Sequence, residues 1–184
     1  MSRTLKPGAS RRRPALWVAA AFACLALQAC SQSLPDRLGA PIEGYSHTSA
    51  AINYFMVNGN GGPNIGPYGG GGSQNCCVSM PRKWHPGLTV VVEWEKDPNT
   101  GPTVNLPPIG TDEYRAAYKL HAAQYTRHRA VVEVAPYEQL GLVNVHFLPC
   151  DQVKVAASPS YHGRPNHPYN YPLKMEVPAK CPLP

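Results

Sequence analysis

Cysteine and histidine are the residues of this chain whose types could do chemistry, because thiolates and imidazoles act as nucleophiles, bases and metal ligands. The 184 residues contain 6 cysteines and 7 histidines. The histidines are His47, His85, His121, His128, His146, His162 and His167. They are spread along the chain and do not form the His-Glu-x-x-His pattern of zinc hydrolases. His146 lies between Val145 and Phe147 in a predicted strand, where we expect a hydrogen-bonded structural role.

Two catalytic or metal-binding interpretations depend on these residues. His146 and Cys150 are four residues apart and could begin a zinc site, although they fall on a strand and a turn and the chain has no Cys-x-x-Cys pair. A cysteine enzyme would need a thiolate beside a base, for which His85 or His146 could serve. The sequence has no Gly-x-Ser-x-Gly elbow and no distinct pair of carboxylates. We therefore expect no enzyme activity, no metal and no cofactor.

Four cysteines in the body of the chain are disulfide candidates: Cys76, Cys77, Cys150 and Cys181. An even number of cysteines is typical of a domain in an oxidising compartment, and four cysteines allow three pairings. Neighbouring residues in a strand point to opposite faces, so a bond between Cys76 and Cys77 would need a strained peptide. We therefore expect each of these two to pair with Cys150 or Cys181.

The amino-terminal segment predicts export. Five basic residues precede Cys30, no acidic residue precedes Asp36, and an apolar run extends from Pro14 to Leu27. The run is about fifteen residues long, shorter than the ~20 that a transmembrane helix needs. Residues 1–29 are therefore predicted to be a signal peptide, with a single-pass membrane anchor as the alternative.

The end of the apolar run resembles a bacterial lipobox. The sequence Leu27-Gln28-Ala29-Cys30 places a leucine three residues before a cysteine, although Gln28 is an unusual choice at its position. The resemblance implies cleavage before Cys30 and attachment of lipid, palmitate included, which anchors the protein to a membrane. Ser31 follows the cysteine where aspartate would favour the inner membrane. By the same resemblance, the protein is expected on the periplasmic face of the outer membrane.

The net charge of +6 suggests binding to nucleic acid, but the charge of the mature chain does not support it. Without residues 1–29, 12 basic and 11 acidic residues remain, which is a net charge of +1. The basicity belongs to the export signal and does not predict binding to nucleic acid. Proline and glycine remain abundant, with 19 and 15 residues, which excludes a helical bundle and favours short strands joined by turns.

Six strands are predicted from the pattern of apolar residues. They cover Tyr45–Val57, Asn75–Met80, Leu88–Glu95, Ala130–Val134, Leu142–Leu148 and Gln152–Ala156. The clearest is the third, in which apolar residues alternate toward one face from Leu88 to Trp94. Pro149, Cys150 and Asp151 predict a tight hairpin between the last two strands.

One helical pattern begins at Thr111, which can cap a helix, and the acidic Asp112 and Glu113 suit its positive end. Four residues at helical spacing form a stripe: Tyr114, Tyr118, His121 and Tyr125. We expect this stripe to pack on a sheet rather than to bind a ligand.

These elements predict an α+β fold, mainly β, with about six short antiparallel strands, one helix and many loops. The predicted organisation is a signal peptide at 1–29, a lipidated tether at 30–41, a single β-rich domain at 42–157 and a proline-rich, extended tail at 158–184. The glycine-rich segment from Gly59 to Gly72 is interpreted as a mobile hairpin connection, with a partner-binding loop as the alternative. It lacks the Lys-Ser/Thr ending of a phosphate-binding loop.

Three segments resemble a bacterial lipoprotein family known as domain of unknown function 3304. The first runs from Gly69 to Trp94 and contains Cys-Cys-Val-Ser-Met-Pro-Arg-Lys-Trp; the second runs from Val143 to Val155. The third opens with Gly44-Tyr-Ser-His-Thr and leads into a strand. The resemblance implies a lipoprotein encoded near type VI secretion loci, and some members are thought to be immunity proteins against periplasmic phospholipase effectors. It implies no catalytic residues.

Two functions from different classes are therefore considered. The favoured one is an outer-membrane lipoprotein that binds and neutralises a type VI secretion phospholipase effector. Its candidate contact residues are Arg82, Lys83, Trp84 and His85, since tryptophan and arginine are frequent interface anchors. A structural corner is the alternative role of Arg82 and Trp84. The alternative function is a structural or maintenance lipoprotein of the envelope with no toxin partner.

Overall fold

Eight strands form two four-stranded sheets in the computed structural model, which describes residues 34–100 and 106–182. The strands of the first sheet are β1 (Arg37–Ser46), β4 (Asn75–Pro81), β7 (Leu142–Phe147) and β8 (Val153–Ser158), in the order β4-β1-β7-β8. Those of the second are β2 (Ala51–Val57), β3 (Asn60–Gly61), β5 (Thr89–Asp97) and β6 (Thr126–Glu133), in the order β3-β2-β5-β6. The predicted signal peptide and the lipidation predicted at Cys30 lie outside the described residues.

The core consists of apolar side chains that alternate along strands of both sheets. Val90, Val92 and Trp94 of β5 are buried, as their spacing predicts. The ring of Phe147 from β7 meets the ring of Phe55 from β2 at 5.3 Å, edge to face. Such pairs are more stabilising than the buried area alone, by about 0.5–1.5 kcal/mol.

The mainly β fold with one described helix is confirmed, but the strand count and the pairing differ from the prediction. The predicted strand Tyr45–Val57 is two strands, because the chain turns at residues 47–50 and β2 enters the other sheet. β1 begins at Arg37, so the last residues of the predicted tether belong to the first sheet. The pairing is not all antiparallel: β1 and β7 are parallel, with Tyr45 opposite His146. Strands this far apart in sequence can pair in either direction because long connections join them.

The single described helix, α1 (Asp112–Ala122), begins where the sequence predicts. The Thr111 hydroxyl caps it by accepting a hydrogen bond from the Tyr114 amide at 3.1 Å. The prediction that the aromatic stripe is buried against a sheet is wrong, since no residue of α1 is buried and Tyr118 is 44% exposed. The carboxy-terminal end of α1 does contact the sheet, where His121 Nε2 lies 2.9 Å from the Asp97 carboxylate of β5.

The disulfide pairing also differs from the prediction. Cys76 is bonded to Cys77, and Cys150 is bonded to Cys181. Neighbouring side chains in a strand point to opposite faces when the peptide between them is trans, whereas the Cys76–Cys77 peptide is cis and its Cα atoms are 3.1 Å apart. The second bond attaches the tail to the predicted hairpin, which is confirmed as a short 3-10 turn at Pro149–Asp151 between the antiparallel β7 and β8.

The glycine-rich segment closes a hairpin only at its beginning, where Asn58 and Gly59 turn β2 into the antiparallel β3. The remainder leads from β3 in one sheet to β4 in the other, so the predicted hairpin connection is confirmed only in part. Ile65 exchanges backbone hydrogen bonds with Ile52 at 2.9 and 3.0 Å, and the Gly69 carbonyl accepts one from Ser46 at 2.8 Å. Gly70 has φ 138°, and a Cβ atom there would lie 2.2 Å from the Gly44 carbonyl oxygen, so this close approach requires glycine. Within the described part of the chain, no helix is long and apolar enough to cross a membrane.

Candidate functional site

Four histidines from three separate parts of the chain meet on one face of the first sheet. We call His47, His146, His162 and His167 the histidine cluster. His146 is in β7, and His47 follows β1, with its amide donating to the Phe147 carbonyl at 2.9 Å. His162 and His167 come from the tail after β8. The ring centroids of His146 lie 5.2, 5.3 and 5.5 Å from those of the other three.

The cluster lies on the side of the sheet that faces away from the core. Val143, Val145 and Phe147 of β7 belong to the hydrophobic core, so the alternation of a strand directs Asn144 and His146 to the other side. That side would be exposed in an ordinary two-sheet domain. Here both residues are fully buried. Rings of the tail surround His146, and the attachment of the tail includes a hydrogen bond from the Met175 amide to the His47 carbonyl at 3.0 Å.

The hydrogen bonds of His47 determine the tautomers at the centre of the cluster. Its Nδ1 lies 2.8 Å from the Pro172 carbonyl, which can only accept, so Nδ1 carries the proton. The Nε2 atom of a neutral His47 therefore has a lone pair, and it accepts a hydrogen bond from His146 Nδ1 at 3.0 Å. His146 Nε2 then carries the second lone pair. It is buried and has no hydrogen-bond partner.

The tail histidines are also oriented by backbone carbonyls. His162 Nε2 donates to the Tyr171 carbonyl at 2.9 Å, which leaves a lone pair on its Nδ1. His167 Nδ1 lies 2.7 Å from the Tyr169 carbonyl, and its buried Nε2 has no partner. Carbonyl acceptors of this kind hold imidazole rings in one orientation.

Tyrosines form the walls around His146. The Tyr45 ring stacks on His146 at 5.0 Å and an angle of 10°, and the Tyr45 hydroxyl donates to the buried carboxylate of Glu43 at 2.8 Å. Tyr169 and Tyr171 of the tail contact His146 edge-on at 5.9 and 5.8 Å. Removal from water also raises the pKa of Tyr45, helped by Glu43, so its phenol stays protonated.

Burial keeps the imidazoles of His47, His146 and His167 neutral. Removal from water lowers the pKa of His146 to about 2, with further lowering by His47, His162 and His167. The pKa values of His47 and His167 are also lowered, mainly by burial, although their hydrogen bonds to backbone carbonyls oppose the shift. Neutral imidazole is the form that binds metal ions. Within the described residues, His47, His146 and His162 each offer one nitrogen, and the three atoms lie within 4.8 Å of one another.

The two alternatives that involved cysteine chemistry are not supported by these contacts. Cys150 is bonded to Cys181, so it is not a thiolate partner for His146 in a zinc site. Cys76 and Cys77 are bonded to each other, so the described residues contain no free thiol for a cysteine enzyme. The hydrogen-bonded role predicted for His146 is confirmed through His47.

The run from Arg82 to His85 does not take part in the histidine cluster. Trp84 packs against the core, and its Nε1 donates to the Val134 carbonyl at 3.0 Å, as its structural alternative predicts. The Arg82 amide donates to the Asp36 carbonyl at 2.7 Å. Lys83 and His85 are exposed. Binding of a partner by this run remains a prediction, and Lys83 and His85 are its accessible members.

The fold and the cluster define a class of protein: a two-sheet β domain in which a disulfide-attached tail covers the polar side of the first sheet. The chain belongs to the family described as protein of unknown function (DUF3304), whose profile matches residues 45–155. No curated protein and no solved structure matches the chain. The matched region includes His47 and His146 but ends before the tail that carries His162 and His167.

Reasoning from the sequence missed the cluster because its members share no local spacing. The one available signal was His146 itself, a polar residue that stands directly between the apolar Val145 and Phe147 in a strand. Alternation alone places such a residue on the solvent side. Only the parallel pairing of β1 with β7 and the return of the tail bring the other three histidines to it.

Proposed function

We propose that this protein is a periplasmic lipoprotein, anchored to the outer membrane through Cys30, that acts by binding another protein. Its partner in this proposal is a phospholipase effector delivered by type VI secretion, which it neutralises as an immunity protein. Membership of the DUF3304 family is the starting point, since the resemblance to lipoproteins of this kind lies in the matched region. The observation that carries a binding function is an exposed face of the second sheet.

The compartment is supported by the cysteines. The Cys150–Cys181 bond joins positions 31 residues apart and attaches the tail to the body. Such structural disulfides persist in oxidising compartments such as the periplasm and are rare in the reducing cytosol. They agree with export directed by the predicted signal peptide.

The binding surface is the side of the second sheet that faces away from the core. We call it the outer face; it comprises Tyr54, Met56, Val91, Arg127, Arg129 and Val131. Val131 on the edge strand β6 is 64% exposed and Tyr54 is 38% exposed. Arg127 and Arg129 lie on the same face, paired across strands with Glu95 at 2.9 Å and Glu93 at 3.3 Å.

The chemistry of the outer face fits the opening of a phospholipase active site. Such an opening has to be apolar because it admits acyl chains, and it has to carry polar groups that meet a phosphate headgroup. Tyr54 and Met56 on β2 and the Val91–Val131 pair on β5 and β6 provide apolar surface. The cross-strand pairs Arg127–Glu95 and Arg129–Glu93 lie beside both and present carboxylates to groups that would bind a phosphate. Tyrosine and arginine are enriched at the centre of protein interfaces, where they contribute most of the binding energy.

Co-expression tests this function. The full chain, with its own signal, is produced in a Gram-negative host together with a periplasmic phospholipase encoded beside it. We expect survival of the host and co-purification of the two proteins, and we expect both to be lost in Tyr54→Asp/Val131→Asp. Lys83→Glu/His85→Glu is the matched control on the other exposed site. Death of the host with the unaltered chain, without any complex, would refute the immunity function.

The control also separates the two candidate surfaces. Loss of protection in Lys83→Glu/His85→Glu alone would move the contact to the run after β4. Loss in neither variant, with the complex intact, would exclude both surfaces. An envelope defect on deletion of the gene, with no phospholipase gene nearby, would favour the maintenance function. Incorporation of labelled palmitate that disappears in Cys30→Ala tests the anchor separately.

A further inference from the structure

We propose that His47, His146 and His162 form a binding site for a divalent transition-metal ion of the zinc type, closed by the tail. This inference is independent of the proposed phospholipase partner, because it concerns the first sheet and the tail rather than the outer face of the second. Imidazole nitrogen is a preferred ligand of Zn²⁺, Cu²⁺ and Ni²⁺. Three histidines with one open position form a known type of zinc site.

The tautomers already suit this role for two of the three residues. His47 and His162 each donate one ring N–H to a backbone carbonyl, of Pro172 and Tyr171 respectively. The other nitrogen of His162, Nδ1, therefore has its lone pair available. That of His47, Nε2, accepts the His146 Nδ1 proton, so binding of an ion between them requires His146 to carry its proton on Nε2 instead. Metal-binding histidines in proteins are almost always held this way by an acceptor on the far nitrogen.

The spacing of the nitrogens is close to that of a metal site. Ligands about 2.1 Å from a tetrahedral ion would be separated from one another by about 3.4 Å. His47 Nε2 and His146 Nδ1 are 3.0 Å apart, and the nitrogens of all three residues lie within 4.8 Å of one another. A movement of up to about 1.4 Å by His162 would complete the site. His162 lies in the tail, outside the sheet, and is partly exposed, so it can move and can admit an ion.

A second observation concerns the other nitrogen of the same His146 ring. His146 is fully buried and has two ring nitrogens to satisfy, but the protein satisfies only one of them. A buried polar atom without a partner is rare in a folded protein and commonly marks a bound water or ion. His167, with its buried and unpartnered Nε2, lies beside the same ring at 5.5 Å. The neighbouring rings of His146 and His167 therefore each keep one buried nitrogen without a hydrogen-bond partner, and no neighbouring group fixes the His146 proton on Nδ1 rather than on Nε2 from that side.

The experiment uses the full chain, extracted in detergent, purified without a histidine tag and stripped of metal with EDTA. We expect isothermal titration with Zn²⁺ to show one ion bound per chain. Co²⁺ should give the intense visible absorption of a tetrahedral site. His162→Ala should lower the affinity at least ~100-fold, the upper range seen when even an outer partner of a ligand is removed. His85→Ala, which removes an exposed histidine outside the cluster, should change neither readout.

Two results would overturn the proposal: no stoichiometric uptake by the metal-free protein, or equal affinity in His162→Ala and the unaltered chain. Because His162 is only half-buried, its replacement should leave the circular dichroism spectrum unchanged. If it does not, His162→Gln keeps a side chain of similar size without an imidazole. Retention of the Co²⁺ spectrum by a folded His162→Gln protein would equally reject the site.

Discussion

The Cys150–Cys181 bond should be a main source of stability for this domain, and its removal is the sharpest test of the structure. The two cysteines are 31 residues apart, and cross-linking that length of chain lowers the entropy of the unfolded state. The chain-entropy relation converts this separation into about 3.7 kcal/mol of stability at 25 °C. Cys150→Ala/Cys181→Ala should therefore lose about that much of the free energy of unfolding.

Urea unfolding followed by far-ultraviolet circular dichroism measures this loss. The rate of trypsin cleavage after Lys174 reports whether the tail stays attached to the domain. Freed of its bond, the tail should leave the His47 carbonyl and be cut faster. Cys76→Ala/Cys77→Ala is the matched control. Its bond joins neighbours in sequence and closes no loop, so chain entropy predicts almost no change for that variant.

Two outcomes would contradict a stabilising role of the Cys150–Cys181 bond. If Cys150→Ala/Cys181→Ala loses less than about 1 kcal/mol and resists trypsin as the unaltered protein does, the bond does not hold the tail. If the control loses as much as the test variant, loop closure is not the source of the stability.

Two further predictions concern the cluster and the glycine-rich segment. In metal-free protein, burial lowers the pKa of His146 to about 2 from its ordinary 6.5. The His146 imidazole therefore stays neutral in the folded protein, whereas in the unfolded chain it takes up a proton below pH 6.5. The contribution of His146 to the free energy of unfolding is therefore complete above pH 6.5 and falls by about 1.4 kcal/mol per pH unit below it. His146→Asn should remove this one-proton slope from the free energies of unfolding that urea titrations give between pH 7 and 5. An unchanged slope would contradict the burial of the His146 imidazole. Gly62→Ala would place a Cβ atom 2.0 Å from the buried ring of Phe55 and should cost about 1–3 kcal/mol. Gly61→Ala meets no atom within 4 Å and should stay within about 0.5 kcal/mol of the unaltered protein; equal stability of the two glycine variants would show that the segment does not pack on Phe55.

Local structure was predictable where one interaction along the chain decides it. Thr111 caps α1 because the capping bond lies within four residues of sequence. The buried side of β5 follows from the alternation of Val90, Val92 and Trp94, since strand geometry directs them to one face. The turn at Pro149–Asp151 was also predictable, as proline and short polar residues favour turns.

Pairing across the chain was not predictable from the same patterns. Nothing local distinguishes a parallel from an antiparallel partner for β1, because the choice depends on how long connections cross between sheets. The aromatic stripe of α1 shows the same limit. Its spacing is correct for a packed face, but the fold leaves α1 on the surface with no buried residue.

By itself, the sequence predicted an export signal that ends in a lipobox-like run, which stays a prediction, and it determined the mainly β domain, the capped helix among the described residues and four cysteines suited to disulfides. These features depend on composition and on neighbours within a few residues. Tertiary structure alone decided the cysteine pairs and the meeting of His47, His146, His162 and His167. The physical reason is that a side chain's partner across space depends on strand order and on the path of the tail. No spacing along the chain records either of these.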